Sequence, residues 1–337
     1  MTDILNALAL LANYVIVPGL AYGSQLALGA LGATLVFGIL RFSNFAHGDM
    51  MAFGTMITVL VTWWLQAVGV SISPLPTALL ALPVGIVVTA ALAVLTDKAI
   101  YRYYRQQKSR PITFVIASVG VMFIMNGLVR FIIGPGDQNF NDGERFIFTA
   151  REFRAVTGLA EGVAFRWSQG LTIVVALVVV VALFWFLQKT RTGKSMRAFS
   201  DNEDLALLSG INPDRVVLVT WILAAALATI AGALYGLDKS FKPFTYFQLL
   251  LPIFAAAIVG GIGQPLGAIA GGYVIAFSEV MLTFAYKQVF RYVLPEEWAP
   301  DGLSQLLSTD YKFAVSFVIL VVVLLVRPTG IFRGRVL

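Results

Sequence analysis

The sequence predicts an all-α, polytopic membrane protein, a helical bundle of nine or ten spans in which broken or re-entrant helices are expected. Three observations carry this. Charged residues make up only 12% and hydrophobic residues 58% of the chain, against roughly 25% and about 45–50% in soluble domains. Mean hydropathy is +0.84. Apolar runs close to the ~20 residues that cross a bilayer recur from one end of the sequence to the other. With half the usual charge there is too little polar surface to cover a water-soluble globule of 337 residues. The absence of Cys excludes disulfides, thiolate metal sites and Cys nucleophiles, and a single His excludes a multi-His metal centre. The formal charge of +6 does not point to nucleic acid, because the basic residues fall between apolar runs and not on one soluble face.

The first run, Ile4 to Leu40, has no charged residue. It is too long for one untilted span and just short of two. Asp3 and the lack of a basic segment before it argue against a cleaved secretory signal. Further spans are expected at Met50 to Gly69, Pro74 to Thr96, Pro111 to Phe131, Leu171 to Gln188, Val216 to Leu237, Phe247 to Ile262, Leu266 to Tyr286 and Phe313 to Val326.

Short loops that keep Lys and Arg stay on the cytoplasmic side. Lys98, Arg102, Arg105, Lys108 and Arg110 stand against Asp97 alone, which places that loop inside. Lys189, Arg191, Lys194, Arg197 and Arg215, then Arg327, Arg333 and Arg335 of the tail, mark two more inner segments. The gap from Gly134 to Gln169 holds Asp137, Asp142, Glu144, Glu152 and Glu161 against four Arg and belongs outside, as does the acid-rich gap from Lys287 to Lys312. Even numbers of spans then separate every pair of inner loops. The N-terminal third stays open: three spans before Asp97 put the N-terminus outside and four put it inside.

Glycines four apart (Gly19 and Gly23, Gly232 and Gly236, Gly263 and Gly267, Gly267 and Gly271) imply close helix packing, since helices in lipid gain little from hydrophobicity alone. Packing within the subunit is the plainer reading of each pair. Two glycine-broken stretches, Gly29 to Gly54 and Gly260 to Gly272, lie in the first and last thirds. Breaks so placed point to a transport site near the midplane. Asn44, His47, Gly48 and Asp49 in the first, and Gly260, Gly261 and Gly263 in the second, are the candidate path or gate residues. In RFSNFAHGDMM (41 to 51) the side chains of Asn44, His47 and Asp49 are expected to satisfy backbone groups freed by a helix break. Structural capping is favoured there over a proton relay.

In the inner segment TRTGKSMRAFSDNEDLALLSGINPDR (190 to 215), Ser200 followed by Glu203 reads as a capping box, and Gly210 as a helix stop with Pro213 beyond. A helix of about nine residues is expected between them. Asp201, Glu203 and Asp204 occupy its first turn, where the helix dipole favours acids, and Leu205 and Leu208 share a side. Such a helix either docks in a partner's groove or folds back on its own subunit. Gly193, Lys194 and Ser195 do not make a phosphate loop, because position 188 is Gln188 and no strand precedes it. If ATP drives transport, another chain binds it. Glu279, the acid well inside a late run, either pairs with Arg130 or Lys287, lines the path, or sits near the outer interface, the last being the default. No catalytic constellation is visible.

The stretches 27 to 54, 195 to 236, 255 to 281 and 308 to 335, with the NFAHG core and the GIN-x-DR element, resemble the LivH type of inner-membrane permease of branched-chain amino acid ABC importers. Asp49 stands where that family usually carries Glu. The resemblance implies one transmembrane permease domain over 1–337, with a cytoplasmic coupling loop at 189–215 and an extracytoplasmic loop at 134–169. It also implies two cytoplasmic ATPase subunits, a second permease of the LivM type, a periplasmic substrate-binding protein, and a bacterial inner-membrane location, with no cofactor or metal and no enzymatic activity of its own. Ser200, Asp201, Glu203, Asp204, Leu205, Leu208, Gly210, Ile211 and Asn212 become the candidate ATPase-coupling residues. Related permeases carry urea, short amides or aromatic acids, so the solute stays open. A stand-alone channel or secondary transporter and a membrane enzyme are the weaker alternatives.

Overall fold

A bilayer offers no water to the backbone, so each crossing segment has to close its own hydrogen bonds as a helix. In the computed structural model, which describes residues 2–140, 143–293, 302, 304–327 and 329–332, nine helices among the described residues are long and apolar enough to cross. Asp142, Arg333 and Arg335, counted in the charge reading above, lie outside those residues.

The first apolar run is one span. Helix α1 (Thr2–Leu11) continues through a π turn at Ala12–Ile16 into α2 (Val17–Leu40), and 39 residues at ~1.5 Å per residue reach about 58 Å, well beyond the ~30 Å hydrocarbon layer. The surplus, α1, lies against the acid-rich loop. Asn6 Oδ1 accepts the Glu161 amide (3.2 Å) and Asn13 Oδ1 the Ala164 amide (3.0 Å). The N-terminus therefore shares the side of residues 134–169, which closes the count at nine candidate spans among the described residues. That loop is folded: β1 (Phe146–Phe148) pairs antiparallel with β2 (Phe165–Arg166) around α7 (Ala150–Thr157). Thr149 caps α7 in a reciprocal box with Glu152.

The other crossings are α3 (His47–Ala67), α4 (Ala78–Thr96) running through a π turn at Asp97–Tyr101 into α5 (Arg102–Gln106), α6 (Pro111–Ile133), α8 (Trp167–Lys189), α11 (Pro213–Asp238), α12 (Pro243–Gly260), α13 (Pro265–Thr283) and α15 (Lys312–Val326). Between α8 and α11 lie α9 (Arg191–Asp201) and α10 (Glu203–Leu208), and α14 (Lys287–Val293) packs Val289 on Ala7 and Leu10 of α1.

Helices α2, α3 and α11 form the buried centre, and the four-spaced glycines explain how closely they approach. A Cβ on Gly23 would fall 2.4 Å from the Tyr273 ring, and one on Gly232 2.5 Å from Thr55 Oγ1. Gly267 and Gly260 meet backbone to backbone across the α12–α13 hairpin. These contacts are within the subunit. Gly263 is the exception: with φ +82° and open space around it, it serves the turn and not a packing seam. Buried hydroxyls of Thr55, Thr58, Thr62, Thr89 and Thr220 donate to carbonyls four residues back, so none of these five donors is stranded in an apolar core. By contrast α6, α8 and α15 leave Phe123, Leu177 and Leu325 exposed, faces suited to lipid or to another membrane chain.

Candidate functional site

The chain between α2 and α3 is not a surface loop. Arg41 ends α2 in the left-handed region (φ 60°), its amide donating to the Phe37 carbonyl at 2.9 Å. Residues 41–46 then run without helix back along α2. His47, the first residue of α3, places Nε2 3.0 Å from the Gly29 carbonyl. Gly29 lies eleven residues before the end of α2, or ~16 Å up the helix axis. An extended segment thus replaces the inner half of a crossing, and α3 begins near mid-membrane. This is the helix break the sequence suggested.

Its polar groups divide the work. Asn44 Oδ1 accepts the Ala46 amide at 3.1 Å and the Tyr101 hydroxyl at 3.4 Å, and the Phe45 amide donates to Ser118 Oγ of α6 at 3.1 Å. Gly48 is required by space: a Cβ there would lie 2.6 Å from the Tyr246 carbonyl. Asp49 departs from the expectation that it caps backbone. Its Oδ1 accepts from the Asn126 side chain on α6 at 2.7 Å, and the residue is fully buried. The reason is geometric. Asp49 already sits inside the first turn of α3, where its side chain projects sideways towards α6.

At the inner end, Gly260, Gly261 and Gly263 form the tight α12–α13 turn, with Gly261 at φ 111°. The C-terminal segment closes it: the Ile331 amide donates to the Val259 carbonyl (2.8 Å) and the Phe332 amide to the Gly260 carbonyl (3.1 Å). These bonds satisfy carbonyls that a helix end leaves open. The turn is at the inner end of the bundle, whereas the break at 41–46 reaches mid-membrane, so the two glycine stretches occupy different depths.

The segment 190 to 215 folds as two helices where one was expected. Ser200 does not cap the second. It lies inside α9 and donates its hydroxyl to the Gly38 carbonyl at 3.1 Å. Asn202 is the cap, its Oδ1 accepting the Leu205 amide at 3.0 Å, so α10 has six residues and not about nine. Asn competes well with Ser at this position, and Ser200 is drawn away by the helix-end carbonyl of α2. Glu203 and Asp204 stand in the first turn as expected, whereas Asp201 does not, because it is the last residue of α9. Gly210, at φ +79°, ends the helix. The Ile211 amide returns to the Ala206 carbonyl (3.1 Å), and Asn212 caps α11 through the Arg215 amide (3.2 Å). Ala206 is buried, while Leu205 is 61% and Leu208 85% exposed and Leu207 is exposed beside them. Arg41 joins this projection to the break, donating from Nη2 to the Ser200 carbonyl at 2.6 Å.

Several of these partners are not evident in sequence. Asp97 is buried, held by both terminal nitrogens of Arg105 (2.8 and 3.0 Å) and by the Trp221 indole N–H (2.8 Å). Tyr101 stacks on Trp221 (5.3 Å, 10°) and reaches Asn44. A continuous polar and aromatic chain therefore runs from the inner rim to the break. The available signal was an acid at the end of an apolar run with Arg eight residues on, just over two helical turns away on the same side. Glu279 pairs with neither Arg130 nor Lys287. It lies in the last turns of α13, 2% exposed, accepting from Ser316 of α15.

The sequence profile described as "Branched-chain amino acid transport system / permease component" matches residues 15–324. The high-affinity branched-chain amino acid transport system permease protein LivH of Salmonella typhimurium is 31% identical over 322 residues, 94% of each chain. Its Escherichia coli counterpart has the same identity and coverage. BraD of Pseudomonas aeruginosa, of the same description, is 30% identical over 95% of each. With this coverage and a polytopic helical fold, the chain belongs to the branched-chain amino acid transport system permease family.

Proposed function

We propose that this chain is the permease subunit of an ATP-driven importer of branched-chain or other apolar amino acids in a bacterial inner membrane. The carrying observation is the end-to-end similarity to permeases named for that transport. ATP hydrolysis is assigned to two partner ATPase subunits, delivery to a periplasmic binding protein, and the other half of the pathway to a second, LivM-like permease.

The α9–α10 projection is read as the coupling element. Its exposed leucines enter a groove of an ATPase, and Glu203, Asp204 and the Asn202 cap hold α10 rigid enough to act as a lever. Movement of that lever pulls on Arg41 and on the Ser200–Gly38 contact, and so on the end of α2 and the extended segment that leads to Asn44 and His47. A small displacement at the inner side then becomes a rearrangement near mid-membrane, because packed elements switch between discrete arrangements. Asn44, His47, Gly48 and Asp49 form the hinge or gate in this reading, and Gly260, Gly261 and Gly263 fix the hairpin against which it moves.

The test is uptake of labelled leucine into proteoliposomes holding this chain, its sibling permease and the ATPases, with the binding protein outside and ATP inside. Leucine is expected to accumulate only when all components and ATP are present. Accumulation by this chain alone would overturn the assignment.

A further inference from the structure

A cavity of about 230 Å³ opens at the outer end of the bundle between α2, α13 and α15. It lies below the ~300–1,000 Å³ of drug-sized sites, a size for a small solute. Two residues of opposite charge, Glu279 and Lys312, line it. They do not form an ion pair within 4.0 Å among the described residues, although they act on each other electrostatically. Lys312 Nζ instead lies over the rings of Phe313 (4.6 Å) and Tyr22 (5.7 Å). The other cation on the wall, Lys239, is taken by Asp238 at 3.3 Å.

Glu279 is the unusual group. One oxygen accepts from Ser316. Oε2 is buried and accepts no hydrogen bond, although the Tyr22 hydroxyl lies beside the carboxylate. A carboxylate 98% withdrawn from solvent (2% exposed) with an open acceptor is costly unless a donor, best a cationic one, completes it. Opposite, Tyr14 and Phe284 stack at 6.1 Å, and Val280 adds an aliphatic wall. The cavity thus offers an anion, a separated cation and an apolar face within one small volume.

We infer that this cavity is a binding site for the zwitterionic head of an apolar α-amino acid, with Glu279 Oε2 taking the ammonium, Lys312 the carboxylate, and the stacked aromatics the side chain. It deepens the permease reading above, on which it rests, by placing an outward waiting site for the solute in this subunit. The charges are left apart because the ligand bridges them. Substrate-sized solutes lacking either charge leave one protein group unpaired, and sites of that kind reject such analogues strongly.

The test is equilibrium binding of tritiated leucine to the assembled permease–ATPase complex in nanodiscs, without binding protein, with competition by leucinamide and by 4-methylpentanoate. Leucine is expected to bind saturably, and each analogue to compete at least tenfold more weakly. Lys312→Gln should abolish the discrimination against leucinamide while keeping that against 4-methylpentanoate, and Glu279→Gln should do the reverse. A merely structural role would weaken all three ligands together. Should Glu279→Gln fail to assemble, the Lys312→Gln selectivity ratio decides the matter. No saturable leucine binding by the wild-type complex, or unchanged ratios in the variants, would overturn the site. Leucine uptake by the same complex separately decides the permease reading.

Discussion

Leu205 and Leu208 give the clearest handle on the coupling reading. A fully buried leucine gains ~2 kcal/mol relative to an exposed one. Exposures of 61% and 85% mean that most of both side chains remains available to a partner. If a groove in the ATPase covers them, removing both is worth about 3 kcal/mol, roughly a hundredfold in Kd. The double substitution Leu205→Asp and Leu208→Asp removes that gain and also buries charge in the groove. The cap remains, since Asn202 and the Leu205 amide are unaffected by the side-chain change. The bundle should therefore keep its stability. The assay is titration of solubilised permease with purified ATPase, followed by anisotropy of a label on the ATPase, alongside thermal unfolding of each permease. A Kd within threefold of wild type, with unfolding unchanged, would refute the docking argument. A matching loss of thermal stability would instead show that the leucines pack on their own subunit.

Two further predictions concern the frame. Gly267→Ala places a Cβ 2.3 Å from the Gly260 carbonyl oxygen, a backbone atom that cannot swing away, and overpacking of this kind costs ~1–3 kcal/mol; a lowered unfolding temperature in nanodiscs checks it, and an unchanged one would mean the hairpin opens freely. Outside the membrane, the Glu152 carboxylate is held below its ordinary range by the Thr149 amide and hydroxyl, which favour its charged form. Its folded value is depressed, so its contribution to α7 is present above the usual carboxylate range and is lost as pH falls through the lowered one. Amide exchange in residues 150–157 should accelerate over that acid interval in wild type and show no such pH step in Glu152→Gln.

The break at 41–46 shows how far sequence reading reaches. Asn44, His47 and Gly48 in an otherwise apolar stretch signal interrupted helix, because polar side chains at that depth need local partners, and Gly48 is indeed the residue a neighbouring backbone requires. Asp49 was misassigned because its partner, Asn126, lies 77 residues away. A lone amide in an apolar run was the only hint of it. Ser200 failed similarly. A serine three residues before a glutamate is a sound local cap, but the carbonyl of Gly38, 162 residues distant, competed for the same hydroxyl and Asn202 took the role. Glu279 was expected near the outer interface, and its position near the end of α13 fits that. Its burial against α15 does not follow from anything within α13.

The sequence by itself determined the solvent, the candidate spans beyond residue 50 and the family, because hydropathy and short motifs are local properties that survive without contacts. Only the tertiary structure decided that the first 40 residues make one crossing with an outer extension, that the α9–α10 projection is tied to the break through Arg41, and that Glu279 and Lys312 line one cavity without forming an ion pair. Each of these depends on groups far apart in the chain competing for the same hydrogen bond or the same space, and such competition has no period or composition to read.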